Sequence, residues 1–159
     1  MRTNIVNTSP KESFKANFVI FFAVLAGLIF FVILAYFFVV KKTIPADPDI
    51  SKIFMFIVPA FAVIEIFLSR FMYHKISRQI TANANVFEKI SKYRTAKIIS
   101  WASLEGAGLF SVVAYLLTQL DFFLLIFLVV IAAFVLSKPS VEEFVNDLKI
   151  EGNDRNELL

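Results

Sequence analysis

The sequence predicts an all-α integral membrane protein: a four-helix bundle with both termini in the cytoplasm and a short amphipathic C-terminal helix. Three observations lead there. Apolar residues make up 58% of the chain and phenylalanine alone contributes 20 of 159 residues, well above the share usual in a soluble domain. Windows of about 19 residues isolate four apolar blocks, near 17–40, 53–73, 97–118 and 122–137. As helices they measure from about 25 Å to about 36 Å at ~1.5 Å per residue, enough to cross a hydrocarbon core, the last one only just. The third observation is the placement of charge. Arg70, Lys75, Arg78, Lys89, Lys92, Arg94 and Lys97 gather between the second and third blocks, whereas the turn Gln119-Leu120-Asp121 has no basic residue. The positive-inside rule puts the basic loop in the cytoplasm, and four crossings then put both termini there, in a multi-pass protein of the inner (cytoplasmic) membrane.

The first block is long, starts late and is followed by no small-residue cleavage site, so it reads as a retained helix rather than a signal peptide. Ahead of it, residues 1–16 form a cytoplasmic arm. Within that arm Ser9 suits an N-cap, Pro10 the first helical position and Glu12 the reciprocal capping partner, so the helix starts before the membrane does. Lys41 and Lys42 fall on the outer side, from where their side chains snorkel to the interface. The outer loop that follows holds Pro45 and Pro48 and reads as short and irregular. Pro59 lies inside the second helix, removes one backbone hydrogen bond and predicts a kink about one turn before Glu65.

The third helix is the longest, at about 86–118. Asn85 with Glu88 three residues on marks its start, and neither glycine nor proline interrupts it before Gly106, so it begins below the membrane and runs into it. At ~100° per residue, Ser100, Ser103, Ala107, Ser111 and Ala114 fall on one face, a small-residue stripe of the kind that lets membrane helices approach closely. The transmembrane domain thus covers 17–137, with its fourth helix at 122–137. In the tail, 138–159, Ser137-Lys138-Pro139-Ser140 breaks the chain and Ser140 with Glu143 repeats the capping-box pattern. Val141, Phe144, Val145 and Leu148 then make an apolar stripe for a helix lying on the membrane surface or against the basic loop.

Composition also excludes chemistry. The chain has no cysteine, so disulfides, thiolate catalysis and cysteine metal sites are absent. No P-loop, metal-ligand spacing or nucleophile–base pair occurs, so neither enzymatic activity nor a cofactor is expected. The net charge of +3 reflects the loop lysines and arginines and does not indicate a nucleic-acid partner. That loop could attract anionic lipid headgroups, although a positive-inside flank explains it equally. His74, the single histidine, reads as a boundary residue, and Trp101, Tyr73 and Tyr93 as interfacial anchors.

Two carboxylates remain: Glu65 and Glu105, each inside an otherwise lipid-soluble stretch and each roughly 12 Å from the basic interface. An ionisable side chain at membrane depth is costly and usually faces a bundle interior with a role to perform. The pair is therefore the candidate proton or cation site, either sharing a proton or holding a cation between them. The alternative is structural: each is protonated and hydrogen-bonded to a serine or carbonyl, Ser69 serving Glu65. Glu105 shares its face with Trp101, Ala102, Gly108, Leu109 and Val112, and Gly106 and Gly108 open space beside it.

Arg94-Thr95-Ala96-Lys97-Ile98-Ile99, then Ala102, Glu105, Val113, Ala114, Leu116 and Leu117, resembles the carboxylate-bearing helix of the proteolipid (subunit c) of rotary ATP synthases. The topology agrees, with a helix entering, a polar loop containing Arg78-Gln79, and a helix leaving with the glutamate. That resemblance implies that Glu105 reversibly binds a proton or Na⁺. It covers about 25 residues, and the glycine run of the proteolipid's other helix has no counterpart in 54–72 of this chain. Leu104-Glu105-Gly106, Leu116-Leu117-Thr118 and Lys138-Pro139-Ser140 with Asp147-Leu148 also resemble a group of small uncharacterised bacterial four-helix membrane proteins. This second likeness implies the architecture alone.

The resulting expectation is a non-enzymatic membrane protein, an oligomer or a subunit of a membrane assembly, with a protonatable or cation-binding site at Glu105. Its partners would be the lipid bilayer and either copies of itself or other members of a membrane complex. The alternatives are a purely structural or assembly protein without an ion site and, third, a small-molecule carrier acting as a dimer.

Overall fold

Helix formation follows the apolar blocks, starting before each of the first three and running past the end of the second. The computed structural model describes residues 9–41, 45, 48–79, 84–147 and 150. Among these, five helices and no strand occur: α1 (Pro10–Val40), α2 (Pro48–Ser77), α3 (Val86–Thr118), α4 (Phe122–Leu136) and α5 (Val141–Asp147). α1 starts within the expected arm because its cap is complete. The Ser9 hydroxyl accepts from the Glu12 backbone N–H and the Glu12 carboxylate accepts from the Ser9 N–H, each at 3.2 Å. Pro48, expected in an irregular loop, is instead the first residue of α2, where its fixed φ and missing N–H cost nothing. α2 continues through Pro59 to Ser77.

The Asn85 side chain caps α3 by accepting from the Glu88 N–H at 2.8 Å. α3 ends at Gln119, whose φ of 57° is the left-handed turn that closes a helix. Thr118 steadies this turn, donating to the Ala114 carbonyl at 2.7 Å and accepting from the Leu120 N–H at 3.3 Å. α4 then leaves at once. α1, α2 and α3 are each long and apolar enough to cross a membrane. α4 has 15 residues, about 22 Å at ~1.5 Å each, and is bent by 67° from α5.

The bundle is organised around α3, which packs against α1, α2 and α4, while α2 also meets α4. Of the small-residue stripe, Ser100, Ala107, Ser111 and Ala114 are buried and Ser103 is half-buried. α1 buries a narrow line, Phe14, Asn17, Phe21, Leu28 and Ala35, spaced three, four and seven residues apart. Its other faces leave Phe22, Phe30, Ile33 and Phe37 exposed. Two cores result. The longer one joins Phe21, Leu28, Trp101, Leu104, Phe127 and Phe134. The second lies at the end where α1 begins and gathers Phe14, Tyr73, Ile90, Tyr93, Phe144 and Val145. Through Phe144, α5 belongs to that second core, its ring tilted against Phe14 and edge-on to Tyr93 at ring distances of 5.2 and 5.1 Å.

Candidate functional site

The register of the α2–α3 pair places the two predicted carboxylates. Ser69 and Ser100 meet through a buried hydrogen bond of 2.6 Å. α2 and α3 run antiparallel, so Glu65, four residues before Ser69, and Glu105, five after Ser100, are displaced the same way, by about 6 and 7.5 Å. The two are level with one another. They do not face one another. Glu65 lies on the strip of α2 that carries Phe54, eleven residues earlier, and Phe54 packs edge-on to Phe110 of α3 at 5.7 Å. Glu105 is about 140° around α3 from Phe110 and within about 20° of Arg94. Arg94 marks the α1 side: its Nε donates to Asn17 Oδ1 at 2.9 Å and its Nη2 donates to the Ser13 carbonyl. The body of α3 therefore stands between the carboxylates. Both are half-buried, and neither makes a hydrogen bond or ion pair with the described residues. The Ser69 hydroxyl, the partner expected for Glu65 in the structural alternative, is bonded to Ser100.

The space expected around Glu105 exists on one side only. A Cβ at Gly106 would meet no atom within 4 Å, whereas at Gly108 it would lie 3.1 Å from Leu28 Cδ2, with Phe127 and Val130 each at 3.7 Å. Gly108 thus admits close packing of α1 and α4, and only Gly106 leaves room. Trp101, on the same face, is buried between Phe21 and Phe134 at ring distances of 5.5 and 6.4 Å.

A second polar group, unforeseen from the sequence, is built around Lys97. Its side chain is 5% exposed and its ammonium lies 2.8 and 2.9 Å from the two oxygens of Glu143. It also donates to the Ser137 carbonyl at 3.2 Å and sits 4.6 Å over the Tyr73 ring. The Trp101 indole N–H donates to the same carbonyl at 3.2 Å, covering the end of α4. Tyr73 donates to Asp147 Oδ2 at 2.6 Å and Tyr93 to Glu143 Oε2 at 3.3 Å. These contacts place Tyr73, Tyr93 and Trp101 inside the protein, not at its outer surface as interfacial anchors. They also explain why the Ser140–Glu143 capping box does not form: Lys97 and Tyr93 hold the carboxylate, while Ser140 donates its N–H to the Tyr93 hydroxyl at 3.4 Å. Leu148, the last residue of the expected tail stripe, lies outside the described residues.

The signal for this cluster was present but ambiguous. A lysine about three turns inside a helix, beside aromatic residues, reads equally as a snorkelling interface residue. Its carboxylate partner is 46 residues away, and no periodicity links positions so far apart. Chemically, the cluster is a neutralised, hydrogen-bonded ion pair tying α5 and the end of α4 to α3. The carboxylates of Glu65 and Glu105 differ from it in having no such shell among the described residues. Among the described residues no three His, Asp or Glu side chains converge on a metal-sized point. No family model, curated protein or solved structure matches the chain.

Proposed function

We propose that the protein is a non-enzymatic, multi-pass membrane protein that works as an oligomer or as a subunit of a membrane assembly, with Glu105 as a protonatable or cation-binding site completed by a neighbouring chain. One observation carries the reading. Glu105 sits half-buried on the flank of α3 with open space at Gly106 and no hydrogen-bond or ion-pair partner among the described residues. A carboxylate left so at membrane depth is costly, on the order of 2.5–3.5 kcal/mol when charged at a helix centre. A neighbouring helix that supplies a hydrogen bond or a shared ion removes that cost.

Orientation in the bilayer rests on length and charge. α4 at about 22 Å is shorter than a typical ~30 Å core, a mismatch that local thinning and polar flanks accommodate. With α4 as the fourth crossing, the Lys97–Glu143 cluster lies at the cytoplasmic interface and Asp121 at the outer one. At the outer end Lys41 folds back over the Phe37 ring at 4.5 Å, in keeping with a snorkelled side chain.

The deciding experiment compares wild type with Glu105→Gln in proteoliposomes, measuring proton and Na⁺ flux beside the oligomeric state in detergent. Flux in wild type that the substitution abolishes supports the ion site. Absence of flux in both samples overturns it, and loss of the oligomer on substitution then assigns Glu105 to assembly.

A further inference from the structure

Between α2, α3 and α4, at the end of the bundle near the Lys97 cluster, lies a cavity of about 140 Å³. That is on the order of ten times the space one water molecule needs. Ser69, Arg70, His74, Lys97, Ser100 and Ser137 supply its polar lining, and among the described residues no aspartate or glutamate lines it. The charges do not cancel. Lys97 is already paired with Glu143, but Arg70 is exposed and makes no ion pair among the described residues. Among the described residues the lining therefore carries one guanidinium without an ion pair, the nearby Asp147 carboxylate being held by the Tyr73 hydroxyl. Its serines add a donor. One of the Ser69 and Ser100 hydroxyl hydrogens is spent on the bond between them, leaving the other free to donate.

The cavity opens where its lining becomes exposed, at Arg70, His74 and Leu136. From that mouth an apolar seam runs along both helices. Val63 lies seven residues before Arg70 on the same strip of α2, and Val129 and Leu125 lie seven and eleven before Leu136 on α4. All three are more than half exposed. A polar, positively charged chamber at the foot of a two-helix apolar seam matches a molecule with an anionic head and long hydrocarbon tails.

We infer that this cavity binds the phosphodiester headgroup of an anionic membrane lipid, with the Arg70 guanidinium as its charge partner and the acyl chains lying along the α2–α4 seam. The phosphate takes a charge-assisted hydrogen bond from Arg70, and the serine pair fixes it at the depth of the headgroup layer. One cation without an ion pair among the described residues suits the single negative charge of a phosphodiester. The inference rests on the membrane-embedded reading proposed above.

The test uses the full chain purified in detergent and probed with phosphatidylglycerol, phosphatidylcholine and inorganic phosphate, with bound lipid counted by native mass spectrometry. Wild type should retain phosphatidylglycerol in preference to phosphatidylcholine. Arg70→Gln should weaken that retention about tenfold, the scale of one hydrogen bond to a charged group. Lys75→Gln, which removes a nearby exposed charge outside the cavity lining, should leave it unchanged. Equal helicity in the two variants, by circular dichroism, keeps the comparison free of misfolding. The inference is overturned if Arg70→Gln retains lipid as wild type does, if Lys75→Gln loses as much, or if inorganic phosphate alone displaces the lipid. A chain that fractionates as soluble fails the membrane reading itself, whereas a membrane-embedded chain without lipid preference fails only this inference.

Discussion

The Lys97 ammonium lies 2.8 Å from the Glu143 carboxylate, across 46 residues of chain, and that contact ties α5 to α3. Lys97 is on the central helix and Glu143 on the short helix α5, so their meeting folds the chain after α4 back against α3. The ion pair is asymmetric, with the lysine side chain 5% exposed and the glutamate 30%.

That asymmetry predicts unequal costs. Glu143→Met leaves a buried ammonium without its counter-charge and should destabilise the protein by about 1–3 kcal/mol, below the full buried-pair figure because Glu143 is partly solvated. Lys97→Met should cost less, since the freed carboxylate can turn to water. Lys97→Met with Glu143→Met should recover much of the loss. Thermal unfolding in detergent of the four proteins measures the cycle, and equal single-variant costs would refute the assignment.

Phe144 is fully buried against Phe14 and Tyr93. Phe144→Ala should cost about 3–5 kcal/mol of local stability and release α5. A milder version is Tyr73→Phe, which removes the 2.6 Å bond to Asp147 at about 1 kcal/mol. Limited proteolysis should cut both variants between α4 and α5 faster than wild type, Phe144→Ala the more so. Unchanged cleavage in Phe144→Ala would mean that the second core does not hold the tail.

The two glycines near Glu105 should respond in opposite senses. Gly106→Ala meets open space and should stabilise α3, by up to about 1 kcal/mol of helix propensity. Gly108→Leu drives a side chain into Leu28, Phe127 and Val130 and should cost about 1–3 kcal/mol through overpacking. Melting temperatures in detergent check the order, and a destabilised Gly106→Ala would show that a partner chain already occupies that flank.

Ser69 and Ser100 set the register of α2 on α3 through one buried bond. A double-mutant cycle with Ser69→Ala and Ser100→Ala should give a coupling of about 0.5–1.5 kcal/mol, modest as interhelical bonds between membrane helices are. Zero coupling would remove the register argument that sets Glu65 and Glu105 level.

The helices and most of their ends were legible in the sequence. Ser9 with Glu12 and Asn85 with Glu88 mark starts that the structure retains, because a cap is a local bond among four residues. The same logic misread Ser140 with Glu143, where a lysine from another helix outcompetes the local bond. It also misread Pro48, which suits a loop and a first helical turn alike.

The relative level of the two carboxylates was legible in the sequence, but their direction was not. Counting residues from the basic interface set Glu65 and Glu105 level, and the Ser69–Ser100 register agrees with that count. Which flank each occupies depends on how α2 and α3 are rotated against their neighbours, a matter of packing at Phe110 and Arg94.

By itself, then, the sequence determined the all-helical build, the apolar spans and the presence of two carboxylates within them. Backbone hydrogen bonding and side-chain hydropathy act within a few residues and leave a readable period. Only the tertiary structure decided that Lys97 finds Glu143, that Tyr73 and Tyr93 turn inward, and that Glu65 and Glu105 stand on opposite flanks of α3. Those outcomes depend on helix rotation and on contacts between distant segments, for which no local pattern in the chain carries a signal.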